Sequence, residues 1–316
     1  MKAYTYVVCA VWCLAGLLYS CQNKGAQDDC NDELLGQATQ GNLAFRPIHA
    51  VVAFPQAGFS VGVLVEDPSG DHVNLEVWKA NGDQRVLEEQ VGSELLAVTP
   101  GGRLFYRRSV DVFKRSFSSI GATGADRQDH LAPSVVPAAF VGRPTDSLLY
   151  IWGTNGNLVA YDYLLEQEQV ITNSNRNVVS YSPSMRRLLV VEDKWLLAKK
   201  YSTGQLDTLG HLNNLGNSQQ FTGQPVWLES THSLWVSTDR GLFRYAWDDD
   251  KWDTLLSFCP QDRIVVWSAG SSQKIAGFQY EREFDAGSYS EIQYPVTLHY
   301  QAKTGNLQVE VVERKE

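Results

Sequence analysis

Six short apolar runs recur through this chain at a nearly constant interval, and that interval constrains the fold more than any other feature. The runs are FSVGVLVE (59–66), RLFYRRS (103–109), SLLYIWG (147–153), RLLVVE (187–192), HSLWVST (232–238) and QKIAGFQ (273–279), and their starts lie 44, 44, 40, 45 and 41 residues apart. From residue 46 onward no helical periodicity outlasts two turns. Val, Leu, Tyr and Trp cluster instead between Gly, Asn, Asp and Ser, the pattern of short strands joined by tight turns. An interval of about 40 to 45 residues is the length of one four-stranded propeller blade.

The rest of each unit is consistent with that length. An inner strand opens it, as in ELLAVTPGG, NVVSYSPSM, PVWLES and RIVVWSAGS, and the recurrent run follows. A further strand then carries an aromatic residue: Trp78, Phe113, Tyr161, Tyr201, Tyr245 and Tyr300 in turn. After a turn such as Asn81-Gly82 or Lys303-Thr304-Gly305 comes a short outer strand, as in QRVLEE, LDTLG, WDTLLS and LQVEVV. Four strands per unit and six units predict an all-β chain forming a six-bladed β-propeller over residues 46–316, with seven blades as the alternative. One blade cannot cover both faces of its own sheet, so neighbouring blades must bury each other.

The turns VTPGG before RLFY and YSPSM before RRLLVV resemble the Ser-Pro-Asp-Gly turn that precedes the second strand in TolB-like and WD-repeat propellers, a likeness running over residues 46–316. It implies architecture only. Gly210-His211 and Trp247-Asp248 resemble the Gly-His and Trp-Asp pair of WD repeats, but no other unit repeats both, so a six-bladed TolB-like ring is the better match.

Ahead of the repeats, Met1 and Lys2 lead into a 12-residue apolar run, Val7 to Leu18. A membrane-spanning helix needs about 20 residues, so the run suits a cleaved signal peptide, residues 1–20. Leu18-Tyr19-Ser20-Cys21 resembles the lipobox of bacterial lipoproteins, which implies that Cys21 carries a thioether-linked diacylglycerol and an acylated amine, with palmitate-type chains. Several acyl chains at about 0.8 kcal/mol per buried CH₂ anchor a protein firmly. Residues 21–45 are polar and acid-tinted and read as a flexible tether with a root-mean-square span of about 27 Å. Its acids Asp28, Asp29, Asp32 and Glu33 resemble the export signal of surface lipoproteins in Bacteroidetes. The implied location is the outer membrane, lipid-anchored on the periplasmic or cell-surface side. Cys9 and Cys13 leave with the signal, so Cys30 and Cys259 are the two thiols able to form a disulfide.

The chain carries 36 acidic and 27 basic residues and no run of five Lys or Arg, which argues against nucleic acid as a partner. The membrane is reached through the N-terminal lipid only. No motif survives as a catalytic site. Gly58-Phe59-Ser60-Val61-Gly62 matches the nucleophile elbow, yet a strand pattern follows where a helix is needed. Ser271-Ser272-Gln273-Lys274 has the spacing of penicillin-recognising hydrolases but sits at a turn into a strand. The histidines His49, His72, His130, His211, His232 and His299 are dispersed, and Asp67 to Asp71 and Asp248 to Asp250 lack the alternation of a calcium loop. No metal and no cofactor are expected.

Function is therefore sought in long connections. Residues 121–134, 211–224 and 281–295 read as loops of the two kinds that emerge together on one face of a propeller. Their candidate binding residues are Asp126, Asp129, His130, His211, Phe284, Asp285, Tyr289, Glu291 and Tyr294. An aromatic, acidic rim fits an envelope protein or a glycan. The expectation is a binding or scaffold module in a cell-envelope complex; the alternative is an extracytoplasmic enzyme or binding protein acting on polysaccharide.

Overall fold

The computed structural model describes residues 47–55, 58–111, 114–132, 134–173, 178–258, 263–269, 274–285, 288–301 and 304–312. They form five antiparallel sheets in which strands neighbour one another in chain order. The first holds β1 (Ile48–Ala53), β2 (Val61–Glu66), β3 (Val73–Trp78), β4 (Gln84–Val98), β5 (Arg103–Arg108), β6 (Ser116–Gly121) and β7 (Gln128–Leu131). The second holds β8 (Pro137–Phe140), β9 (Leu148–Gly153), β10 (Asn157–Asp162) and β11 (Gln167–Asn173). The third holds β12 (Val178–Ser182), β13 (Arg187–Glu192), β14 (Trp195–Lys200) and β15 (Leu206–His211). The fourth holds β16 (Val226–Leu228), β17 (Ser233–Ser237), β18 (Gly241–Ala246) and β19 (Lys251–Ser257). The fifth holds β20 (Arg263–Ala269), β21 (Lys274–Asp285), β22 (Ser288–Gln301) and β23 (Asn306–Val311).

The seven-stranded sheet arises because β4 is continuous. Its first half, Gln84 to Val91, pairs with β3, and its second half, Val91 to Val98, pairs with β5. One strand thus ends one four-stranded meander and opens the next. First strands pack side by side, β1 with β4, β4 with β8, β12 with β16, β16 with β20 and β20 with β1. The last sheet returns to the first, and the architecture is an all-β, propeller-like ring.

Alternation within the recurrent runs explains why they are almost wholly apolar. In β5, Leu104 and Tyr106 enter the cluster shared with β1 to β3, while Phe105 enters the cluster shared with β9 and β10. In β9, Leu149 and Ile151 point one way and Tyr150 and Trp152 the other. Leu188 and Val190 of β13 likewise part from Leu189, and Leu234 and Val236 of β17 from Trp235. A strand buried on both faces needs apolar residues at every position, which hides the period of two that a half-buried strand would display.

Among the described residues six such apolar clusters lie between neighbouring sheets and between the two halves of the first. The one that closes the ring joins Val61, Val63, Val65 and Trp78 to Ala276, Phe278 and Val312. Among the described residues closure is by packing, since β1 and β23 belong to different sheets. The backbone N–H of Ile48 adds a hydrogen bond to Gln293 Oε1 at 2.8 Å.

Two details differ from the sequence reading. The aromatic strand of the second unit is β6 with buried Phe117; Ser109–Asp111 before it is a 3₁₀ turn, and Phe113 lies outside the described residues. Phe117 takes that place because it reaches the cluster that holds Phe105 and Tyr161. Tyr201 falls one residue beyond the end of β14.

Candidate functional site

Within 281–295, expected as a loop, residues 281–285 and 288–295 are strand. Among the described residues β20 accompanies β21 as far as the Arg263↔Tyr280 pair, and β23 accompanies β22 as far as Val311↔Val296 and the 2.9 Å bond from the Val312 N–H to the Pro295 carbonyl. β21 and β22 nevertheless stay paired out to Asp285↔Ser288. Glu281 to Asp285 and Ser288 to Gln293 therefore form a two-stranded ribbon extending past the four-stranded sheet. The cause is local: Tyr280, Arg282 and Phe284 alternate with the acids Glu281, Glu283 and Asp285 in one run, and Tyr289 alternates with Ser288 and Ser290 after Ala286-Gly287, which is a hairpin pattern despite its acids. The register sets Phe284 opposite Tyr289 and Arg282 opposite Glu291, with Glu281, Glu283 and Asp285 at the alternate positions. Tyr294 lies back within the sheet, only 8% exposed, and is not part of a rim.

The other candidates disperse. Asp126 lies in the β6–β7 turn with φ 56°, and its carbonyl accepts from Arg103 Nη1 at 2.9 Å. Asp129, exposed on β7, accepts from Ser118 Oγ at 2.7 Å, and that bond holds its carboxyl below the usual range, helped by Arg127. His130 is buried at 4% exposure against Phe117, ring centroids 5.3 Å apart, with Nε2 2.8 Å from Ser119 Oγ. Burial first, then the nearby Arg103 charge, pushes its imidazole below the ordinary histidine value; buried as it is, His130 is a core residue and no rim ligand. His211 Nδ1 accepts from the Asn213 N–H at 3.1 Å, and its ring meets Trp195 edge-on at 4.6 Å.

Strand order decides which connections share an end. Alternate connections of an antiparallel meander emerge at alternate ends. The ribbon follows a second strand, while residues 132, 134–136 and 212–225 follow the fourth strands β7 and β15, so these segments lie at one end. Residues 122–127, with Asp126, follow a third strand and lie at the other, which divides the expected 121–134 loop between the two.

Along the axis, Val52, Ala97, Phe140, Ser180 and Val226 of five first strands line a largely apolar cavity together with Arg143 and Pro144. It adjoins a more open hollow of about 300 Å³ at the end opposite the ribbon, lined by Pro100, Arg143, Pro144, Thr145, Asp146, Pro183, Ser184 and Glu229. No motif flagged Arg143 or Glu229. The legible signal was a Pro in the first-to-second connection of four units running, at Pro55, Pro100, Pro144 and Pro183.

The remaining motifs resolve into structure. The Ser60 N–H donates to the Trp78 carbonyl at 2.8 Å and β2 begins at Val61, so Ser60 is a strand entry and not a nucleophile on an elbow. Lys274 opens β21; Ser271 lies outside the described residues. Ser69 Oγ donates to both carboxylate oxygens of Asp67 at 2.8 and 2.9 Å, a self-contained turn. Asp248 sits 3.3 Å from His232 Nδ1, and Trp247 lies under the Arg187 guanidinium at 4.7 Å. Among the described residues no three His, Cys, Asp or Glu converge as for a metal, and no helix is long and apolar enough to cross a membrane. Cys21, Cys30 and Cys259 lie outside the described residues.

No protein-family model matches the sequence, and no curated protein matches it. Among solved structures, one described as a crystal structure of a nidogen/laminin complex is similar to 76% of this chain over 96% of its own, with a TM-score of 0.46 and 8% identity.

Proposed function

We propose that this chain is a six-bladed β-propeller lipoprotein that serves as a non-catalytic binding module of the cell envelope and engages a protein partner through its ribbon end. The count of six rests on dividing β4 between two blades, which makes six four-strand sets for six inter-set cores. The observation that carries the binding role is the ribbon itself. Among the described residues these two strands have no third neighbour, which leaves backbone N–H and C=O groups open along their edges, and a folded chain rarely extends such edges without use for them. The acids Glu281, Glu283, Asp285 and Glu291 keep the ribbon from pairing with copies of itself and suit a basic partner surface. A glycan is the second reading, supported by the Phe284 and Tyr289 register pair.

The test is crosslinking capture from intact envelopes with the anchor kept. Replacing Phe284 and Tyr289 together with Ala is expected to reduce capture of a stoichiometric partner by about tenfold or more, as for paired aromatic anchors. The thermal midpoint should hardly move, since both lie beyond the sheet. Undiminished capture would remove the ribbon from the interface.

The anchor is tested separately. Cys21→Ser should leave the protein unlipidated and move it from the membrane fraction to the soluble fraction, or leave it unprocessed, because no acyl chain can be attached. Wild-type fractionation at wild-type mobility would reject Cys21 as the lipidated residue.

A further inference from the structure

We propose that the hollow opposite the ribbon binds a small zwitterion with one free carboxylate and one free ammonium group, an amino acid or a short peptide. Connections from first to second strands in four successive units supply its wall: Pro100 after β4, Arg143 to Asp146 after β8, Pro183 and Ser184 after β12, and Glu229 after β16. Three prolines make that wall stiff and apolar, with no N–H to be satisfied at those points. Gly142, at φ +82°, lets the backbone leading into Arg143 pass close to the Tyr181 carbonyl.

The charged groups are arranged for a guest and not for each other. Arg143 is half-buried and, among the described residues, has no carboxylate within 4.0 Å. A guanidinium partly removed from water without a counter-ion is costly, and its planar fork matches a carboxylate. Glu229 accepts from Ser184 Oγ with Oε2, whereas its Oε1 is buried with no donor among the described residues. Both residues line one hollow without forming an ion pair, so a gap separates them. Asp146, exposed at the rim, adds a second acid.

That set discriminates between ligand classes. A simple anion would satisfy Arg143 but face Glu229 and Asp146; a simple cation would satisfy the acids and leave Arg143 bare. A molecule with its carboxylate on Arg143 and its ammonium on Glu229 Oε1 satisfies both, and the gap between them selects its length.

Titration calorimetry of the whole chain with alanine, dialanine and trialanine tests this. One length is expected to bind with unit stoichiometry, and its N-acetylated and C-amidated forms to bind at least about tenfold more weakly, the loss of one charge-assisted hydrogen bond. Arg143→Gln should weaken the free form by a similar factor while hardly affecting the amide, and Glu229→Gln should do the converse with the N-acetyl form. Absence of binding by all three at millimolar concentration, or equal affinity for blocked and free forms, would overturn the proposal, and neither comparison needs a variant that folds. The site lies at the opposite end from the ribbon, so Arg143→Gln leaves partner capture intact and the two readings fail independently.

Discussion

Trp235→Ala is expected to lower the unfolding free energy by about 3–5 kcal/mol, the usual cost of deleting a fully buried large aromatic. Trp235 has no exposed surface and sits in the cluster between the fourth and fifth sheets. Its Nε1 donates to Ser233 Oγ at 3.2 Å, and its ring meets Tyr300 edge-on at 5.5 Å. Tyr300 lies in turn beneath the Arg244 guanidinium, 5.0 Å from the ring centre, and Arg244 is held by Asp253 at 3.1 Å. Removing the indole thus opens a cavity and releases a chain of contacts across one of the ring's interfaces. With total stabilities of about 5–15 kcal/mol, that is a large share of the whole. Urea unfolding checks it, and hydrogen exchange should show the fourth and fifth sheets deprotected first, because each unit is stabilised chiefly by its neighbours. A loss under about 1 kcal/mol would mean that this cluster is not the core it is taken to be.

Gly142→Ala should be nearly as damaging for a different reason. Gly142 has φ +82°, and a Cβ there would lie 2.6 Å from the Tyr181 carbonyl oxygen, which is backbone and cannot swing aside. The left-handed conformation alone costs an L-residue about 1–2 kcal/mol, and the clash adds to it, so a total of about 3 kcal/mol is expected. Gly204→Ala is the matched control: its φ is +72°, but nothing lies within 4 Å of the added Cβ. It should lose only the conformational part. Equal losses at the two positions would show that the close approach of the chain at Gly142 carries no cost.

Much of this fold was legible because its information is local. The interval between apolar runs reflects the length of a strand meander, and Thr99-Pro100-Gly101-Gly102 marks a turn through Pro at its second position and the +80° φ of Gly102. The TPGG and SPSM turns lie between first and second strands, as their likeness to propeller turns implied. The ribbon is only half legible, because Glu281, Glu283 and Asp285 alternate with Arg282 and Phe284 whereas 288–294 keep no strict period, and the polarity of 281–295 matches a loop. His130 falls within 121–134, whose polar residues match a loop, whereas alternation along the four residues of β7 turns it inward.

The sequence by itself determined that this chain is built of repeated antiparallel strands buried on both faces, since strand period, turn chemistry and unit length are written within about 45 residues. Only the tertiary structure decided that β4 would run unbroken from one set into the next, that the last sheet would pack on the first, and that Arg143 and Glu229, 86 positions apart, would line one hollow. Those facts depend on how each sheet is rotated against its neighbour around the ring. That rotation is set by the summed packing of six apolar clusters and by no short stretch of sequence.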